Sequence, residues 1–234
     1  MNILVKGASQ GIGRCIAEKL NKSGHNLFVT SRNETLLKEI DARDYLVCDM
    51  TKDINALVEF VKTNKIDVLI NNAGEYIYKA VEEYTQAEIE SIIRLNLQAP
   101  IELTSACVGH MKMQKWGRVI NIGSISAVMG EAYASTYIAT KAGLIGFTKA
   151  LGLELAPYNI TVNTINPGWV GTKLGLESIE QSEFTLEETL ETIPQRRFVE
   201  PDEVASLVEY LISDSAKGIT GQSINICAGL SVGI

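Results

Sequence analysis

Histidine is nearly absent from this sequence, cysteine is sparse, no apolar run reaches membrane-spanning length, and basic residues are outnumbered by acidic ones. The two histidines, His25 and His110, both lie in the first half of the chain. A serine hydrolase of the usual chain order needs its base toward the C-terminus, so Gly7-x-Ser9-x-Gly11 is not read as a nucleophile elbow although its spacing matches. Both histidines are read as structural or solvated. The four cysteines, Cys15, Cys48, Cys107 and Cys227, stand far apart in apolar stretches without metal-ligand spacing, which predicts reduced core thiols and no metal site. A formal charge of -7 leaves no basic surface for phosphates and argues against nucleic acid as a partner. Nothing resembles a membrane span or a signal peptide, so no membrane partner and a cytoplasmic location are expected.

What is present is ordinary globular material: 46% of the 234 residues are hydrophobic and 21% charged, enough for a sizeable core. Short apolar runs at 3–5, 27–30, 45–48, 68–70, 119–122, 161–165 and 223–227 alternate with stretches of helical period. That alternation predicts βαβ units and a buried parallel sheet of about seven strands, doubly wound with helices on both faces. Boundary signals agree: Thr85-Gln86-Ala87-Glu88 fits a capping box, Pro201 a first helical position and Gly24 a helix stop. No linker or repeat interrupts the pattern, so residues 1–234 are read as one α/β domain.

Gly7-Ala8-Ser9-Gln10-Gly11-Ile12-Gly13 follows the first strand and opens the first helix. Glycines there permit a tight turn and bring backbone N–H groups to a pyrophosphate at the positive end of the helix dipole, a Rossmann-like cradle. The second strand ends in Ser31-Arg32, with a cation where a site for an unphosphorylated ribose presents a carboxylate. NADP(H) is therefore expected over NAD(H). One segment breaks the rhythm: residues 173–193 carry six glutamates against Lys173 and show no convincing strand. Its place after a strand end predicts a substrate lid, set at 173–198; the competing reading is a solvated pair of amphipathic helices.

Tyr137 and Lys141 stand four apart, which on a helix places phenol and ammonium on one face. A cation one turn away favours the phenolate, which makes the pair a candidate acid/base. Asn71-Asn72-Ala73-Gly74, Asn121-Ile122-Gly123-Ser124 and Pro167-Gly168-Trp169-Val170-Gly171-Thr172 each fall at the C-terminal end of a strand. This ordered set, with the glycine loop and the Tyr137/Lys141 pair, resembles the short-chain dehydrogenase/reductase family over nearly the whole chain. Within it the sequence is most similar to the 3-oxoacyl-(acyl carrier protein) reductases of fatty acid synthesis.

The resemblance implies an NADP(H)-dependent oxidoreductase that interconverts a ketone and a secondary alcohol, with a 3-oxoacyl thioester as one substrate class. By position it makes Tyr137 the general acid/base, Lys141 its activator and a ribose ligand, and Ser124 the group that orients the substrate oxygen. Asn96 would hold a water that links Lys141 to solvent. Ser126 competes with Ser124, but the spacing of thirteen residues to Tyr137 favours Ser124. The cofactor set comprises Gly7, Ser9, Gln10, Gly11, Ile12 and Gly13 in the cradle, Ser31 and Arg32, and Asp49 and Met50 at the adenine. Asn72, Ala73 and Gly74 at the ribose, Pro167, Gly168, Val170 and Thr172 toward the carboxamide, and Tyr137 and Lys141 complete it. Tyr76, Tyr78, Tyr133 and Trp169 are left outside the catalytic set, as aromatics of such a fold are more often core or interface.

The sequence departs from that pattern in three places. Lys6 replaces the threonine that usually steadies the glycine turn, and Gln10 replaces a basic residue, leaving Arg32 to carry 2′-phosphate recognition. Two basic positions that dock an acidic carrier protein correspond to Lys115 and Tyr158, and only one charge survives. With the acidic lid, this makes a free or coenzyme A-linked carbonyl substrate nearly as well matched as a carrier-linked one. A dehydrogenase of a sugar, polyol or other alcohol is the alternative within the family, and a non-enzymatic dinucleotide sensor the alternative outside it. A homotetramer, or a homodimer, built on the helices holding Asn96 and Tyr137 and on the apolar end at residues 226–234 is the assembly implied.

Overall fold

Apolar residues run without interruption through the strands because each strand is covered on both faces. In β1 (Asn2–Lys6), Ile3 and Val5 join one core and Leu4 the other, all fully buried. The computed structural model describes residues 1–180 and 184–232. After β1 the chain forms α1 (Gly11–Lys22), β2 (Asn26–Ser31), α2 (Glu34–Lys38), β3 (Asp44–Val47), α3 (Asn55–Thr63), β4 (Val68–Asn71) and α4 (Gln86–Ile93). A π turn at Arg94–Gln98 leads into α5 (Ala99–Gln114), β5 (Gly117–Ile122), α6 (Ser126–Met129), α7 (Ser135–Leu155) and β6 (Ile160–Pro167). The chain closes with α8 (Lys173–Glu180), α9 (Leu186–Thr192), α10 (Pro201–Ile212) and β7 (Ser223–Ile226).

All seven strands pair in parallel in the order β3-β2-β1-β4-β5-β6-β7. The order reverses between β1 and β4, and in sheets of this kind the crevice outside the strand ends at that reversal takes the ligand. One face is packed by α1 and α10 through Ile16, Leu20, Val204 and Val208, the other by α3 and α5 through Leu57, Val61, Leu103 and Cys107. The boundary signals act as read. Thr85 Oγ1 accepts from the Glu88 N–H at 3.3 Å while the Glu88 carboxylate accepts from the Thr85 N–H at 2.9 Å, closing the box at the start of α4. Pro201 opens α10, and Gly24 takes φ +79 just past α1.

One expectation needs correction. All four cysteines are free, but Cys15 is only half-buried, with its sulfur 4.0 Å from an Asp202 carboxylate oxygen, so it is not a core thiol. The acidic segment holds two helices, α8 and α9, and no strand among its described residues; Glu183 of that segment and the terminal Ile234 lie outside the described residues. Among the described residues no helix is long and apolar enough to cross a membrane.

Candidate active site

The cradle forms because two glycines occupy positions that no side chain fits. Gly7 takes φ +74, and a Cβ there would lie 2.7 Å from that of Ala73; a Cβ on Gly13 would lie 2.1 Å from the Gly7 carbonyl oxygen. The turn is held by Asn72, whose Nδ2 donates to the Lys6 and Gly7 carbonyls at 3.2 and 3.0 Å. Gln10 at the N-cap of α1 makes no side-chain cap bond, and the first turn holds no acidic residue. The amides at this helix end thus remain available to an anion. Arg32, exposed at the end of β2, enters no ion pair among the described residues. Backbone approach, free helix amides and an unpaired guanidinium are the donor set a phosphorylated dinucleotide requires. Asp49 lies nearby in the same wall, and its bonds from the Thr51 hydroxyl (2.7 Å) and amide (3.1 Å) hold its carboxyl below the usual range.

Lys6 has a different destination from the threonine it replaces. It is fully buried, turned away from the cradle, and its Nζ donates to the Leu95 carbonyl at 3.0 Å, a group that the π turn leaves open. Burial, reinforced by the Lys141 ammonium, pushes its pKa down to about 7. An ammonium whose folded pKa lies below its unfolded value costs stability at low pH, and the cost fades as pH rises from about 7 toward 10.5. The unfolding free energy of the protein relative to Lys6→Met is therefore expected to rise with pH across that window in paired denaturant melts. A relative fall would contradict the burial of a charged lysine here.

At the other end of the crevice β5 delivers Ser124 and α7 delivers Tyr137 and Lys141. Lys141 Nζ donates to the Ile122 carbonyl at 2.8 Å and stands 5.6 Å from the centre of the Tyr137 ring; burial lowers its pKa to about 8. Tyr137, half-buried as a residue, has its phenol pushed up to about 12 by desolvation. A hydrogen bond with Ser124 opposes the rise and the Glu131 carboxylate adds to it. Desolvation, not the expected lowering by Lys141, dominates the phenol, and the ammonium's hydrogen bond goes to a backbone carbonyl instead. Ser124 Oγ also accepts from the Ser126 amide at 3.2 Å, so the two serines are neighbours with different tasks.

Asn96 sits buried in the π turn, a helical irregularity common at functional sites. Its Oδ1 accepts from the Glu75 amide and its Nδ2 donates to the Glu75 carbonyl, both at 2.8 Å, with a third bond to Thr140 Oγ1 at 3.3 Å. A Cβ on Gly74 would meet Lys141 Nζ at 3.3 Å and Asn96 Oδ1 at 3.4 Å, so the three groups converge.

One cavity of about 820 Å³ joins the two ends. Every residue of the catalytic and cofactor sets lines it except Gly13 and Asn96, which lie behind its wall and hold Gly7 and the Glu75 loop in place. The helices α8 and α9 cover its outer side with Leu174, Ser178, Thr189 and Thr192. Tyr76, Tyr78 and Trp169, set aside from the sequence, belong to the lining, whereas Tyr133 does not. Met129, Glu131, Phe184 and Leu230 were missed. Glu131 had one available signal, its position in the loop bracketed by Ser124 and Tyr137. His110 pairs with Asp67 at 2.9 Å, and neither histidine touches the cavity.

Comparison with known proteins places this geometry. Residues 7–231 match the family model of short-chain alcohol-dehydrogenase type described as enoyl-(acyl carrier protein) reductase. A putative ketoacyl reductase of Streptomyces coelicolor is 38% identical, covering 97% of this chain and 95% of that protein. The 3-oxoacyl-[acyl-carrier-protein] reductase FabG of Aquifex aeolicus is 36% identical, covering 97% and 96%. Among solved structures, a variant of actinorhodin polyketide ketoreductase with NADPH superposes with a TM-score of 0.92 at 37% identity, covering 99% of this chain and 97% of that one. YwfH, an NADPH-dependent reductase involved in bacilysin biosynthesis, superposes with a TM-score of 0.93 at 28% identity, covering 100% and 99%.

Proposed function

This chain belongs to the short-chain dehydrogenase/reductase family, and on that premise we propose that it is an NADPH-dependent reductase of ketones, with 3-oxoacyl thioesters as the leading substrate class. The observation that carries the reading is the convergence of Ser124, Tyr137 and Lys141 at one end of a cavity whose other end presents Arg32 beside a glycine cradle. The dinucleotide, when bound, supplies the hydride; the chain supplies position, polarisation and a proton. Ser124 and Tyr137, already hydrogen-bonded to each other, would both donate to the substrate's carbonyl oxygen. A phenol pushed up to about 12 is protonated at neutral pH, the state that reduction consumes. Lys141 would turn from the Ile122 carbonyl to the cofactor's ribose, and Asn96 would hold the loop past which the proton is resupplied. The helices α8 and α9 would act as the lid.

Arg32 supplies the direct test of cofactor choice. Charge-assisted bonds to a phosphate are each worth about 1.5–3 kcal/mol, so Arg32→Ala is expected to raise KM for NADPH roughly ten- to hundredfold and leave that for NADH nearly unchanged. The assay is oxidation of either cofactor with acetoacetyl-coenzyme A; equal effects on both would remove Arg32 from 2′-phosphate recognition. The carrier question turns on a surface where Lys115 is exposed and Lys112 Nζ stands 4.9 Å from the centre of the Tyr158 ring. Lys112 adds a cation there but lies 3.5 Å from a Glu154 carboxylate oxygen, so carrier-linked and coenzyme A-linked substrates stay close rivals.

The proposed assembly is a homotetramer. Helices α5 and α7 are apolar around much of their circumference and expose Met113 at 80% and Leu153 at 82%, more than a solvated helix face usually leaves open. Size-exclusion light scattering should return about four times 25.5 kDa, and a monomeric mass would overturn the assembly without touching the chemistry.

A further inference from the structure

Glu131 lines the cavity with no cation bound to it among the described residues, and it is the carboxylate whose charge acts on the Tyr137 phenol. It sits after α6 in the loop between Ser124 and Tyr137, and its two oxygens accept from two different walls. Tyr76 Oη donates to Oε1 at 2.6 Å and Ser126 Oγ donates to Oε2 at 2.7 Å. Both partners reach the reacting centre themselves. The Tyr76 ring meets that of Tyr137 edge-on at 5.0 Å, and the Ser126 amide donates to Ser124 Oγ. The carboxylate is thus fixed beside the position of the carbonyl, half-buried, where its field reaches the Tyr137 phenol.

The other charges that line the cavity do not cancel it. Arg32 lies at the far end, at the close of β2, and Lys141 is held by the Ile122 carbonyl. Lys173 at the lid is exposed and lies 3.5 Å from Glu177, and Glu75 adds a further carboxylate, engaged by Ser91. Each oxygen of Glu131 accepts one hydrogen bond and retains capacity for another, so the group is both a repeller of anions and an acceptor for a donor on the substrate.

We propose that Glu131 is a specificity-determining residue that sets the charge of the substrate next to its carbonyl: the pocket takes ketones whose adjoining group is neutral or carries a hydrogen-bond donor, and rejects keto acids. The proposal rests on the ketone-reductase reading and narrows it. A thioester or amide beside the ketone satisfies it, and a free carboxylate does not. Like charges within a partly desolvated pocket repel strongly enough to change a specificity constant by about tenfold or more.

Acetoacetate and acetoacetamide differ by one charge at nearly constant shape, which makes them the probes. With NADPH in excess, the wild-type protein should favour the amide by at least about tenfold in kcat/KM, and Glu131→Gln should bring the two within about threefold. Ser126→Ala disturbs the same hydrogen-bonded wall but leaves the carboxylate, and should keep the wild-type ratio. If Glu131→Gln turns over neither probe, the same ratio is read as binding to its complex with NADP+. An unchanged ratio in Glu131→Gln, or a ratio lost equally in Ser126→Ala, overturns the proposal while leaving a working reductase. Absence of Tyr137-dependent turnover of any ketone by the wild-type protein overturns the reductase reading and this inference with it.

Discussion

Tyr137→Phe is expected to lower kcat for ketone reduction by about a hundred- to ten-thousand-fold, the range that a positioned general acid contributes, with KM nearly unchanged. The variant keeps the ring, and so its edge-on contact with Tyr76, and loses the phenolic hydroxyl with its proton and its bond to Ser124. Ser124 keeps its bond from the Ser126 amide, so its hydroxyl remains anchored and the fold should lose no more than about 1 kcal/mol. The pH dependence distinguishes this role from a merely structural one. Desolvation pushes the phenol up to about 12, so reduction, which needs the protonated form, should hold its rate through neutral and mildly alkaline pH. Alcohol oxidation needs the phenolate and should rise with pH over the same range. Steady-state rates in both directions against pH provide the check, and residual oxidation in Tyr137→Phe with the wild-type pH slope would assign the titration to another group.

The second large effect is at Gly13. A methyl group there would lie 2.1 Å from the Gly7 carbonyl oxygen and 2.4 Å from Asn72 Nδ2, the atom that holds the glycine turn closed. Neither neighbour is a flexible side-chain tip with room to withdraw. Overpacking of this kind costs about 1–3 kcal/mol and must open the cradle, so Gly13→Ala should weaken NADPH binding about ten- to hundredfold as well as lower stability. Gly24→Ala is the control. Gly24 has φ +79 but nothing within 4 Å of its would-be Cβ, so alanine there strains the backbone and leaves cofactor affinity untouched. Titration of NADPH fluorescence and thermal melts of the two variants separate the effects; equal affinity in both would mean that the close approach of Gly13 to Gly7 does not shape the site.

Much of the fold is legible because its signals are local. Continuous apolar runs mark strands covered on both faces, and Gly7, Gly11 and Gly13 mark a turn that side chains cannot make. Thr85, Pro201 and Gly24 mark helix ends through bonds or φ values within three residues. Tyr137 and Lys141 share a helix face through their spacing alone. The partners of Lys6, Asn72, Asn96 and Tyr76 follow a different rule. Lys6 reaches Leu95 across 89 positions, Asn72 reaches Gly7 across 65, and Tyr76 reaches Glu131 across 55. Such pairings depend on which strand ends the sheet sets side by side, and no local pattern encodes them.

The sequence by itself determined the sheet, the cradle, the acid/base pair and the cation at the ribose end, since each is carried by residue type and short-range spacing. Tertiary structure decided the electrostatics. It turned Lys141 to the Ile122 carbonyl instead of the phenol, raised Tyr137 by desolvation, buried Lys6 against the π turn and set the Glu131 carboxylate beside the reacting centre. A side chain's charge state and direction depend on everything packed around it, and that packing exists only once distant segments have met.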